Sequence, residues 1–208
     1  FFGATFYSDS IPIEEEIPLA LEKTETAEKL IKGVINNLLE RERLEIQPIQ
    51  ELAEILSDTI IRNPDALLLI RQLKKERIEQ YERSLDVSAY LIAFGRHLCL
   101  SREELSDLAI GGFLMDIGLI KNRNLECQDP EHVIDGEQIL EKNHIQSVIV
   151  QNVLSQHHEH EDGTGFPRHL KGNELSPMGG WQLLSISMSY YGQVIRKPEL
   201  YLMTLWRR

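Results

Sequence analysis

Residues 144–158 read "HIQSVIVQNVLSQHH", and the fold class turns on whether this run is strand or helix. The β-branched residues Ile145, Val148, Ile149, Val150 and Val153 suit a pleated strand. The run is nevertheless longer than an ordinary strand. Ile145, Val148, Ile149, Asn152 and Val153 also recur at the spacing that lines one helical face. A helix is therefore expected here, and with it an all-α chain.

The neighbouring segments agree. "YERSLDVSAYLIAFGRHL" (81–98) and "LSDLAIGGFLMDIGLI" (105–120) read as apolar helices, the second preceded by a capping box of Ser101 and Glu104. Asp129-Pro130 opens a further helix at "DPEHVIDGEQILEKN". Earlier, Ala27, Leu30, Ile31, Val34, Ile35, Leu38 and Leu39 form one stripe beginning near Thr24, and Gln47-Pro48 ends it. A second stripe, Leu52, Ile55, Leu56 and Ile60, runs to Asn63-Pro64, where one helix stops and Pro64 enters the first turn of the next. The first eighteen residues, "FFGATFYSDSIPIEEEIP", carry no period and read as an irregular leader. The expected division is residues 1–75, a leader with amphipathic linker helices, and 76–208, a helical domain. Gly163 with Gly165, and Gly179 with Gly180, mark two ordered turns.

Composition narrows the function classes. The 208 residues carry 22 Lys and Arg against 33 Asp and Glu, a formal charge of −11. That balance disfavours DNA as a partner, although a small phosphate ligand can still be held by a few cations such as Arg168, Lys171 and Lys197. Cys99 and Cys127 form no framework, which fits a reducing cytoplasm. No apolar run is long enough to span a membrane, and no signal peptide is evident. The sequence starts with Phe1 and reads as a segment of a longer chain.

The chemistry concentrates at residues 157–167, "HHEHEDGTGFP". Adjacent helical residues point about 100° apart, so His157 and His158 converge on one ion only where the chain leaves its helix. The glycine turn that follows supplies that exit. Imidazoles with a carboxylate suit Zn or Fe, and Asp116 and His132 are the other candidate ligands. The alternative is a solvated charged loop in which His157 caps its own helix.

The longer run "HHEHEDGTGFPRHLKG" (157–172) resembles the signature of the HD-GYP family, in which a double His and Glu precede an Asp-Gly-x-Gly-Tyr-Pro turn. The resemblance covers roughly residues 76–198. It implies an HD-domain helical bundle preceded by linker helices, with an iron centre that cleaves cyclic di-GMP to pGpG or GMP. The implied motif turn is Asp162, Gly163, Gly165, Phe166 and Pro167, with Phe166 in place of Tyr.

Several positions depart from the family pattern. Arg83 stands at the first ligand, Met115 at the His of the named His-Asp motif, Leu119 at its Lys, and Met188 at the late Asp. Tyr191 replaces a second Asp and Gln182 a phosphate-binding Arg, while Lys197-Pro198 matches an Arg-Pro. The stretch between Asp116 and His132 is about a dozen residues shorter than the resemblance implies. These losses remove the unshared ligands of one metal site. They leave Asp116, His132, His157 and His158, the protein ligands of the other.

Arg83 has two roles open to it, neutralising Asp116 or pairing with Glu79 one turn earlier. Met115 and Met188 are expected to fill the lost site as packed interior. The resulting expectation is a catalytically impaired regulatory or protein-interaction module in cyclic di-GMP signalling, with one Fe, Mn or Zn ion or none. Its expected partners are cyclic di-GMP, a signalling protein and a second copy in a homodimer. The alternatives are an active one-metal phosphodiesterase and a receptor that binds the dinucleotide without cutting it.

Overall fold

The computed structural model of the chain describes residues 5–8, 10–41, 43–73, 80–121 and 129–177. Among these residues the architecture is all-α, and the one β feature is an isolated bridge between Asp162 and Lys171. Cys127, Glu79, Gly179, Gly180, Gln182, Met188, Tyr191, Lys197 and Pro198 lie outside the described residues, as does most of the short stretch before His132.

Helix α1 spans Ile13–Arg41 and starts well before the expected Thr24. Its buried face, Glu16, Ala20, Thr24, Ala27, Ile31, Val34 and Leu38, is one continuous stripe whose first half is small or polar and so has no apolar signature. The backbone N–H groups of Glu15 and Glu16 both donate to the Pro12 carbonyl, and Glu14, Glu15 and Glu16 complement the helix dipole in the first turn. Pro18 is tolerated inside the helix. Glu16 has a fully buried side chain because Arg62 grips it with Nε at 3.0 and 3.1 Å and Nη2 at 2.9 Å.

The break after α1 also falls earlier than expected. The helix ends at Arg41, residues 43–45 run outside helix, and Pro48 lies inside the first turn of α2 (Ile46–Arg62), where a missing N–H leaves no bond unmade. Asn63 separates α2 from α3 (Pro64–Leu73), as anticipated, and its Oδ1 accepts from Asp65 N at 3.0 Å. Helix α4 (Gln80–His97) precedes α5 (Arg102–Leu114), whose capping box is present, with Ser101 Oγ accepting from Glu104 N and Glu104 Oε2 from Ser101 N.

Next come the short α6 (Ile117–Lys121), α7 (Glu131–Lys142) and α8 (Val148–Gln156). The run 144–158 is helical only from Val148. Ser147 caps it, its Oγ accepting from Val150 N at 3.3 Å and donating to Asp107 Oδ2 at 2.7 Å.

One apolar cluster joins the helices, from Ala27, Leu38, Leu52 and Leu56 to Leu85, Leu91, Leu105, Leu108, Val150 and Leu154. Close approaches set the helices that carry the site. A Cβ at Gly118 would lie 2.0 Å from the His132 carbonyl oxygen, so only glycine lets α6 meet the start of α7.

Candidate metal centre

Helix ends converge on one small volume. Asp116 lies in the turn between α5 and α6, His132 in the first turn of α7, and His157 caps the C-terminus of α8 with His158 just beyond it. One ligand atom from each of the four lies within 4.8 Å of the others. Asp116 is 3% exposed, and His132 and His157 are fully buried. The exit from α8 brings two successive imidazoles onto one point, as the sequence suggests.

The outer faces of two rings are held by main chain. His132 Nδ1 sits 2.5 Å from the Asp129 carbonyl and His157 Nδ1 2.7 Å from the Leu154 carbonyl. A carbonyl only accepts, so each Nδ1 carries a proton and each Nε2 is the nitrogen turned inward, the one left to offer a lone pair to a metal. The two Nε2 atoms are 3.1 Å apart. Asp116 Oδ1 lies 3.4 Å from His157 Nε2 and 3.9 Å from His132 Nε2. Asp116 Oδ1 and His158 Nε2 are buried without a hydrogen-bond partner.

Converging lone pairs and a carboxylate oxygen with no donor between them call for a cation. A tetrahedral ion with bonds of about 2.0–2.1 Å has ligand-to-ligand edges of about 3.3–3.4 Å, close to these separations. The residues therefore fit one metal ion.

Burial opposes the Asp116 charge, but the nearby His157, Arg83 and His132 groups outweigh it and hold the carboxyl at about 2. Burial, reinforced by His157 and His132, pushes His158 down to about 3. Burial and then His157 lower His132 as well. An acidic carboxylate beside weakly basic imidazoles is the protonation state a metal requires.

The other oxygen of Asp116 faces Arg83 on α4, with Nε 3.7 Å from Oδ2. Met115 is fully buried in the apolar core, and Leu119 is 2% exposed.

The motif turn closes over the ligands. Phe166 stacks on His158 with centroids 4.4 Å apart and meets His132 edge-on at 6.3 Å. Its N–H donates to the His158 carbonyl, and the Phe166–Pro167 peptide is cis. Asp162 Oδ1 accepts from the Thr164 N–H and hydroxyl, shaping the turn. At Gly165 a Cβ would fall 2.3 Å from His160 N, so the backbone doubles back without room for a side chain.

Glu159 was not singled out from sequence. It is fully buried and accepts from Arg168 N at 2.6 Å and Leu170 N at 2.9 Å, fastening the turn from below. It is the Glu that follows the double His of the signature, but composition and spacing do not tell that it is buried while Glu161 two residues later is exposed. Arg168 places its guanidinium on Glu137 at 2.6 and 2.9 Å, and Lys171 packs over Gly163.

Residues 65–201 match the family model of the HD domain. A cyclic di-GMP phosphodiesterase of Pseudomonas aeruginosa is 28% identical over 178 residues, covering 80% of this chain and 43% of the relative. The chain thus spans less than half the length of that relative. Among solved structures, an HDG"Y"P protein from Bdellovibrio bacteriovorus aligns with a TM-score of 0.64 at 19% identity, covering 85% of this chain and 65% of the other. The chain belongs to the HD domain family. The Bdellovibrio bacteriovorus protein is of the HDG"Y"P type, the type whose signature the 157–167 turn of this chain resembles.

Proposed function

We propose that this chain is a catalytically impaired HD-GYP module of cyclic di-GMP signalling that holds at most one metal ion. It acts in the cytoplasm through a protein partner, as a homodimer. The observation that carries the reading is the surroundings of Asp116. One oxygen lies 3.4 and 3.9 Å from the His157 and His132 imidazoles, whereas the other faces Arg83, and Met115, the preceding residue, offers only a buried thioether. Paired-ion phosphodiester cleavage uses one ion to generate hydroxide and both to stabilise charge on the attacking and leaving oxygens. A guanidinium has no lone pair to ligate and stays protonated, so it supplies charge without a coordinated water.

Asp116, His132, His157 and His158 would hold the remaining Fe, Mn or Zn ion, which supplies Lewis acidity when bound. The chain's own contribution is to orient those imidazoles through the Asp129 and Leu154 carbonyls and to roof His158 with Phe166.

The second reading, an active phosphodiesterase making pGpG or GMP, draws support from the name of the Pseudomonas aeruginosa relative. Incubating the chain with cyclic di-GMP and added Mn2+ or Fe2+, with nucleotides followed by chromatography, separates the two. The module yields no product above the metal-free control. Sustained turnover overturns it.

A further inference from the structure

We infer that Arg83 closes this centre: by occupying Asp116 Oδ2 it limits the carboxylate to one donor oxygen, so three imidazoles and Oδ1 complete a four-ligand site for a single structural cation. The inference rests on the one-metal reading above and adds what the ion does. It is a staple joining α5, α6, α7 and α8 rather than a holder of reactive water.

Three observations lead there. Catalytic sites built on tetrahedral ions keep a position open for water, whereas structural ones fill every position with protein. Here the four groups converge within 4.8 Å, and two of the donor atoms are buried with no other partner. The enclosure is largely buried: His132 and His157 are fully buried, Asp116 is 3% exposed, and His158, partly exposed, stacks on Phe166.

The approach to Asp116 opposite the imidazoles is taken by a fixed positive charge. Arg83 Nε is 3.7 Å from Oδ2, and its side chain is 29% exposed. A second cation at Oδ2 would meet that charge. The four ligands come from three places, the α5–α6 turn, the start of α7 and the end of α8, which the short α6 and the Gly118 contact hold together, the arrangement in which one ion contributes most to folding.

The test uses the metal-free 208-residue chain titrated with Co2+ and, separately, with Zn2+. Four-coordinate Co2+ absorbs strongly in the visible and six-coordinate Co2+ weakly. The inference predicts saturation at one Co2+ per chain with strong absorption. It also predicts that Zn2+ at about a hundredfold excess over its Kd raises the melting temperature by roughly 5–10 °C.

In Arg83→Ala the released Oδ2 joins the ion and the visible absorption falls. Arg83→Lys, which keeps the charge, retains the wild-type spectrum. Weak Co2+ absorption in the wild-type chain, two bound ions, or a melting temperature unmoved by Zn2+ overturns the inference. Each wild-type readout stands even where a variant fails to fold. A structural ion without hydrolysis satisfies both proposals. Hydrolysis of cyclic di-GMP sinks the functional reading, and an open six-coordinate ion without hydrolysis sinks only this one.

Discussion

Burial holds His158 well below the ordinary imidazole range, and its titration has a consequence for stability. Its folded value near 3 lies below the ordinary 6.5, so the unfolded chain binds a proton that the folded chain refuses as pH falls below about 6.5. Asp116, near 2 instead of 3.8, behaves alike at lower pH. Both stabilising contributions are complete at neutral pH. That of His158 is lost between about pH 6.5 and 3, and that of Asp116 from about pH 4 downward. The metal-free chain should therefore show a lower urea midpoint at pH 5 than at pH 7, with a smaller difference in His158→Gln. An equal difference in both proteins counts against the assignment. Glu159 makes a separate prediction. Glu159→Ala leaves the Arg168 and Leu170 N–H groups without their acceptor and should cost about 1–3 kcal/mol in urea unfolding, with Glu159→Gln intermediate. No change would mean water replaces the carboxylate.

These residues were unequally legible. Asp116, His132, His157 and His158 stand out because imidazoles and acids beside a glycine turn are unusual in apolar helices. Glu159 is an acid among exposed acids, and only the folded turn buries it.

Between helices, small residues and buried charge decide the fit. Gly118→Ala would set a methyl against the His132 carbonyl, driving α7 from α6 at a cost of about 1–3 kcal/mol and weakening metal affinity with it. Wild-type affinity in that variant, measured by Zn2+ titration, would contradict the packing account. Arg71 on α3 is 3% exposed and joins Asp86 on α4 at 2.5 Å and Glu28 on α1 at 3.1 Å. Arg71→Met strands a buried carboxylate and should cost about 3–5 kcal/mol. A loss below 1 kcal/mol would mean that Asp86 finds another partner or takes up a proton.

Beyond the start of α1, helix type was readable from apolar period, and the Ser101 and Asn63 boundaries from cap chemistry. The start of α1 was hidden because its first buried positions are Glu16, Ala20 and Thr24. Glu16 is buried only through an arginine 46 residues away. Pro48 was read as a stop although it is also a good first-turn residue, and local sequence does not choose between those uses.

Across the whole molecule, Leu38, Leu52 and Leu56 of the early helices share one core with Leu85, Leu105 and Leu108. A continuous core of this kind should unfold as a unit, so circular dichroism and hydrogen exchange should report a single coincident transition. Two separated transitions would show that the early helices fold apart. The described residues contain no helix long and apolar enough to cross a membrane.

The fold class and the family resemblance were both present in the sequence. The Arg83–Asp116 pair, one of two the sequence left open, becomes visible only once α4 and α5 are packed together, and Glu79 lies outside the described residues. The central claim is that the half of the site beside Asp116 Oδ2 holds a guanidinium instead of an ion. Elemental analysis of the chain, saturated with Fe, Mn or Zn and freed of excess, tests it most directly. One metal per chain is the predicted result, and two would contradict it.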